Sequence, residues 1–168
     1  MSTLVGLDIS MRHTGIVVMT HTQEERWHDH LPTTSDWTDR EVVEHLAKTV
    51  KYIGETYKPT HWFVERHYFG GATAARMQWI IGWLEGHFGL VFQEVKPAQW
   101  KKPLGLNKKY VKITASGKQK NTRKGKRDVV DAMEKRFGAI EGDFERRSAI
   151  ADARGIALYG CLVVRRSE

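Results

Sequence analysis

The sequence predicts a single α/β domain over residues 1–168, built on a five-stranded mixed sheet of three antiparallel strands followed by parallel ones, flanked by helices. Three observations carry this expectation. The first thirty residues hold three strand-like runs joined by connections short enough for hairpins. Residues 36–95 then alternate helical and strand periodicity. The composition, 40% hydrophobic and 28% charged over 168 residues, is that of one domain with a sizeable core. It excludes a disordered chain and a small disulfide framework.

Thr3 to Ile9 and Gly15 to Thr20 are rich in Val, Leu and Ile and are separated by a Ser-Met-Arg-His-Thr turn, and Glu24 to His30 is a more polar third strand. From Asp36 to Tyr57, Val42, Val43, Leu46, Val50 and Ile53 recur at steps of three and four, which marks an amphipathic helix ending before Pro59. Thr60 to Glu65 reads as the fourth strand. A second helix from about Thr73 to His87 aligns Met77, Ile80, Ile81, Leu84 and Phe88, and Leu90 to Val95 forms the fifth strand. Strand, helix, strand, helix, strand implies parallel pairing through right-handed crossovers. After Pro97 the periodicity fails, and residues 97–125 read as a long basic loop. Helical spacing resumes at Val129, Val130, Met133 and Phe137, breaks over 138–143, and returns from about Arg147 to Val164.

Charge is unevenly spread. The chain carries 27 Lys plus Arg against 20 Asp plus Glu, a formal +7. Twelve of the basic residues lie between Lys96 and Arg127, a stretch without a single Asp or Glu, so the rest of the chain has fifteen basic and twenty acidic residues. A mildly acidic body with one basic segment points to a polyanionic partner met at one place. Cys161 is the only cysteine, so no intramolecular disulfide forms, and a buried thiol in a reducing, cytoplasmic setting is expected. No apolar run approaches a membrane span, and the N-terminus reads as a strand rather than a signal peptide.

Three carboxylates occupy unusual places. Asp8 lies in an apolar first strand, Glu65 ends the apolar run Trp62-Phe63-Val64, and Asp152 follows Ala149-Ile150-Ala151. Each is costly to bury unpaired. If the first and fourth strands are neighbours and the last helix crosses them, the three converge at one end of the sheet. Converging carboxylates suit hard divalent cations such as Mg²⁺ or Mn²⁺, and a cation pair there would serve phosphodiester hydrolysis. The bland alternatives are a turn cap for Asp8 and a helix N-terminal charge for Asp152.

The motifs resemble those of a known family. Gly6-Leu-Asp8-Ile-Ser10-Met-Arg12-His-Thr14-Gly15 is similar to the first-strand motif of RuvC-type Holliday junction resolvases, which have the RNase H-like fold. Val64-Glu65-Arg66 resembles their second motif. Val95-Lys96-Pro97 with Lys101, then Gly125-Lys126-Arg127-Asp128-Val129-Val130, is similar to their substrate-contacting basic stretch. Ile150-Ala151-Asp152-Ala153 resembles the closing Ala-Asp-Ala motif. The four stand in register over nearly the whole chain.

The resemblance implies a homodimeric, Mg²⁺-dependent endonuclease, with Mn²⁺ able to substitute, that binds four-way DNA junctions and nicks two strands symmetrically. It implies that Asp8, Glu65 and Asp152 are the catalytic metal ligands and that Lys101 and Lys126 meet phosphates. Lys102, Lys108, Lys109, Lys118, Lys120, Arg123, Lys124 and Arg127, with Arg12 in the first motif, are the other candidate DNA contacts. Tyr68 or Phe69 matches the place of an aromatic that stacks on an unpaired junction base, with core or dimer packing as the alternative. His67, two residues beyond Glu65, is a candidate accessory group.

There are departures. Many members carry a further carboxylate or a His one turn before the last Asp, where this chain has Ser148 and Ala149. Glu145 shares a helix face with Asp152 but lies about 10 Å away along the axis. Asp143 could fold back from the preceding loop, or Ser148 could stand at the vacant position. Ile9-Ser10 replaces the usual Pro-Gly after the first Asp, which suggests a divergent, phage-encoded branch.

Trp79 and Trp83, four apart on the second helix, are candidates for a helix-to-helix dimer contact, and the remaining tryptophans read as core or interface. The eight histidines lack zinc spacing. Three other readings stay open: a nuclease acting on RNA or hybrid duplexes, a catalytically silent module that binds branched DNA, and a kinase-like ATPase suggested by Asp-x-Ser-x-x-x-Thr-Gly. The chain is too short for the two lobes of the last.

Overall fold

Side-chain alternation along β1 (Thr3–Asp8) sorts the molecule into two layers. Val5 and Leu7 enter one apolar cluster, while Leu4, Gly6 and Asp8 face the other side. In the computed structural model, residues 2–10, 12–34, 36–66, 71–106, 109–113, 119–123 and 125–167 are described, with 109–113, 119–123 and 167 as backbone.

The sheet is completed by β2 (His13–Thr20), β3 (Glu25–Pro32), β4 (His61–Glu65) and β5 (Phe92–Val95), in the order β3-β2-β1-β4-β5. β1 pairs antiparallel with β2, and β2 with β3; β1–β4 and β4–β5 are parallel. This is the mixed sheet that the sequence predicts. On one face lie α1 (Asp39–Tyr57) and α2 (Ala72–Phe88), which bury Val42, Leu46, Val50 and Ile53, and Met77, Ile80 and Leu84, against Val5, Leu7, Trp62 and Val64. A capping box sets the start of α1 three residues later than the periodicity suggests. Thr38 Oγ1 accepts from the Glu41 N–H at 3.3 Å, and the Thr38 N–H donates to Glu41 Oε2 at 2.7 Å. The helix closes on Lys58, at φ 46°, just before Pro59.

The other face carries α3 (Pro97–Lys101), α4 (Lys126–Phe137) and α5 (Phe144–Ser167). Ile150, Ala153, Ile156, Ala157 and Cys161 of α5 pack with Val129, Val130 and Met133 of α4, with Trp100, and with Leu4, Val17, Met19 and Phe63 of the sheet. Cys161 is buried and unbridged, and its Sγ lies 3.3 Å from the Thr20 carbonyl oxygen. No helix among the described residues is long and apolar enough to cross a membrane.

Two expectations need correction. The segment 97–125 is not a simple loop: it begins with α3 and continues into a separate antiparallel ribbon of β6 (Lys109–Ile113) and β7 (Gln119–Arg123), with Lys109 opposite Arg123 and Ile113 opposite Gln119. The ribbon is a sheet of its own, and its Lys-, Asn-, Gln- and Thr-rich sequence shows little of the apolar alternation by which strands are read. Second, α5 starts at Phe144 rather than Arg147, because Asp143 Oδ1 accepts the Arg146 N–H at 2.8 Å and caps the helix. Asp152 therefore lies more than two turns inside α5. The helix-terminus explanation for its charge fails, since the dipole effect fades within the first turn.

Candidate active site

Strand register brings the first two carboxylates together. Leu7 of β1 stands opposite Val64 of β4, so Asp8 and Glu65 follow as the next residues on neighbouring parallel strands, both on the face covered by α5. They sit at the carboxyl ends of these strands, the usual ligand-binding edge of an α/β sheet.

Backbone packing brings the third. A Cβ built on Gly6 would lie 2.5 Å from the Ala153 carbonyl oxygen, and one built on Gly15 would collide with the backbone of Ala149. Glycine at both positions lets α5 rest directly on β1 and β2. Asp152 lies between these two contact points, over the strand end that carries Asp8. All three carboxylates are partly buried, neither sealed in the core nor freely exposed.

Their electrostatics agree with this placement. Burial holds the Asp8 carboxyl well above its ordinary pKa; the charges of Asp152 and Glu65 push it the same way, while Lys126 and Lys101 oppose them. Asp152 is pushed up to about 6 by burial, with Lys101 and Lys126 lowering it and Glu65 raising it. The three carboxylates and two lysines thus form one interacting group. Lys101 ends α3 and Lys126 begins α4, so two separate elements deliver cations to the same place.

A residue that sequence reasoning assigned only to core or interface packing is part of this group. Trp100 is 1% exposed, and its Nε1–H donates to Glu65 Oε2 at 2.7 Å. Its ring packs against α5 at Gly155, where a Cβ would overlap the indole. Lys101 Nζ stands 4.6 Å from the ring centroid. The signal was its place immediately before Lys101 in a Pro-initiated turn. Arg154, two residues after Asp152, was also missed: it is 1% exposed and anchors α5 through Glu25 of β3.

The accessory candidates separate. Ser148, one turn before Asp152, is 3% exposed and buried beside the site. Asp143 is an exposed helix cap, nine residues before Asp152 and so about 13 Å away along the axis. Its carboxylate is engaged in that cap. Glu145 lies exposed in the first turn of α5. Lys102, Arg127 and Arg12 are exposed. Lys109, Lys120 and Arg123 lie on the backbone of the ribbon. His67, Tyr68, Phe69, Lys108, Lys118 and Lys124 fall outside the described residues.

The donors present fit a divalent cation in chemistry. They are hard carboxylate oxygens from three elements, each pair like-charged and close enough to perturb a partner. The side chains are not drawn up on a common point: among the described residues no three His, Cys, Asp or Glu side chains form a closed metal-holding group.

No protein-family model and no curated protein matches the chain. Solved structures do. The chain is similar to T. thermophilus RuvC in complex with Holliday junction substrate, with TM-score 0.71 and 19% identity over 99% of this chain and 96% of that one. A second Thermus thermophilus RuvC structure gives TM-score 0.68 and 20% identity over 98% and 96%. The Fowlpox virus resolvase, in complex with substrate Holliday junction DNA, gives TM-score 0.57 and 11% identity over 96% and 98%. With strand order, helix placement and these whole-length similarities in agreement, the chain has the RuvC-type RNase H-like fold.

Proposed function

We propose that the protein is a structure-selective DNA endonuclease that resolves four-way junctions by divalent-metal-dependent phosphodiester hydrolysis, working as a homodimer. The observation that carries this reading is the gathering of Asp8, Glu65 and Asp152 by two strand ends and a helix, beside Lys101 and Lys126. The two similar structures that hold Holliday junction DNA support the substrate class.

Asp8, Glu65 and Asp152 would hold Mg²⁺ or Mn²⁺. A bound cation pair supplies an activated water and charge neutralisation at the leaving oxygen. Lys101 and Lys126 neutralise the phosphates flanking the scissile bond, and their charges partly offset the burial that raises Asp8 and Asp152. The ribbon of β6 and β7, with Lys109, Lys112, Lys120 and Arg123, grips the backbone of an arm. Tyr68 or Phe69, directly after β4, stacks on a base at the branch point. Two copies set two such sites a fixed distance apart, which symmetric nicking requires, and the half-exposed Trp79 beside Trp83 on α2 is a contact for the second copy. Branched DNA in the cytoplasm of a bacterial or phage-infected cell is the setting that suits this activity and the lone buried thiol.

One specific observation favours a second reading, a silent branched-DNA-binding module: Ser148 and Ala149 stand where a further metal ligand is common in the family that the motifs resemble. The same experiment separates the two. A labelled four-way junction, a linear duplex and an RNA/DNA hybrid are incubated with wild-type protein and Asp8→Asn, in Mg²⁺ and in Ca²⁺. Paired nicks confined to the junction in Mg²⁺, lost in Asp8→Asn while binding persists, support the endonuclease. Binding without cleavage selects the silent module, and equal cutting of all three substrates selects a general nuclease.

A further inference from the structure

We infer that Trp100 is a positioning residue that holds Glu65 by one oxygen and leaves the other to ligate the metal; the inference rests on the proposed nuclease reading. Glu65 is the last residue of β4 and is the longest of the three carboxylate side chains, so without a second anchor it has rotamers that leave the site. The Trp100 Nε1–H supplies that anchor at 2.7 Å on Oε2. An indole N–H donates only, so it takes one Glu65 oxygen as its acceptor and fixes the direction of the carboxyl group.

The indole is itself held rigidly. It is 1% exposed and wedged against α5, where Gly155 leaves room for the ring. Gln99 of α3 donates to Tyr159 Oη of α5 at 3.0 Å. α3 thus fixes Glu65 relative to the helix that carries Asp152, and partners that orient a metal-binding side chain in this way set metal affinity. Lys101, standing over the ring at 4.6 Å, places a phosphate contact one residue from this anchor.

The test uses Trp100→Phe, which keeps an aromatic side chain at this position and removes the N–H donor together with the second ring. Mn²⁺ binding to DNA-free protein is measured by calorimetry, with junction binding in EDTA and the far-ultraviolet circular dichroism melt as controls. The expected result is a Kd for Mn²⁺ raised roughly 10- to 100-fold, a matching rise in the Mg²⁺ concentration for half-maximal cleavage, and unchanged junction affinity in EDTA. Equal Mn²⁺ affinity in wild type and Trp100→Phe overturns the inference. If Trp100→Phe does not fold, the wild-type protein answers instead: the Trp100 indole ¹H–¹⁵N resonance shifts on Mg²⁺ addition and on Glu65→Gln. A resonance that moves with neither overturns the inference. Failure of the nuclease reading is a separate outcome, seen as wild-type protein that binds the junction and cuts nothing while Trp100→Phe still loses Mn²⁺.

Discussion

Arg154 of α5 grips Glu25 of β3 through two hydrogen bonds, Nε to Oε2 at 2.7 Å and Nη2 to Oε1 at 2.9 Å, and its Nη1 donates to the Gly138 carbonyl oxygen at 2.9 Å. The guanidinium is almost fully buried, two residues from Asp152, so this pair fixes how α5 lies across the sheet. Removing one partner strands the other charge. Glu25→Ala is expected to cost about 3–5 kcal/mol in urea unfolding, whereas the paired replacement Glu25→Leu with Arg154→Met costs much less. Burial alone would raise the Glu25 carboxyl, but hydrogen bonds from His28 and Arg154 and the Arg154 charge outweigh it and hold it below the ordinary value. A depressed carboxyl stabilises above its unfolded pKa, and that contribution is lost as pH falls through the lower folded value. A Glu25→Ala protein as stable as wild type at pH 7 contradicts this account.

Asp8 and Asp152 have the opposite sign. Asp152 stands at about 6, against about 3.9 in an unfolded chain. A raised carboxyl favours the native state fully below the unfolded value and withdraws that support as pH rises through 6. At pH 8 the metal-free protein carries a penalty of about 3 kcal/mol from this group. Asp152→Asn should therefore raise the thermal midpoint at pH 8 by about 8 °C and change it little at pH 4. Mg²⁺ should raise the wild-type midpoint at pH 8 and act less on the variant. Identical midpoints for the two proteins at pH 8 would argue against a strained carboxylate site.

Asp143 tests which acidic residues belong to the chemistry. Its carboxylate caps α5, and asparagine caps a helix nearly as well, so Asp143→Asn should change stability by no more than about 0.5 kcal/mol. Cleavage should stay within about twofold of wild type, on the same reasoning. Loss of cleavage with binding intact would make Asp143 a ligand after all.

How much of this was legible in the sequence differs by element. Asp8 and Glu65 were readable as carboxylates ending apolar strands, and the register that sets them side by side followed from strand order. Asp152 was readable as a candidate, but its depth in α5 depended on a cap at Asp143 that a break at Gly138 and Gly142 obscured. The ribbon of β6 and β7 was missed because its residues are mostly Lys, Asn, Gln, Thr and Arg, a composition read as loop. Trp100 and Arg154 were missed for a shared reason: their roles lie in contacts with partners 35 and 129 residues away, which no local pattern encodes.

Charge placement makes a prediction about binding. Lys101→Ala and Lys126→Ala should each lower the slope of log K against log salt by about 0.9 for junction DNA. Arg147→Ala removes a charge already engaged by Glu134 at 2.8 Å and should leave the slope unchanged. Equal slopes for all three variants and wild type would place the DNA elsewhere.

Cutting of a supercoiled plasmid that extrudes a cruciform tests the central claim most directly, because it reads branch selectivity, paired nicking and the carboxylate site together. With Mg²⁺ the wild-type protein should convert the plasmid to the linear form by two symmetric cuts at the cruciform base. Asp8→Asn, Glu65→Gln and Asp152→Asn should each leave it supercoiled while still retarding junction DNA in a gel. Random nicked circles from a plasmid without the cruciform, or linearisation by Asp8→Asn, would contradict the account.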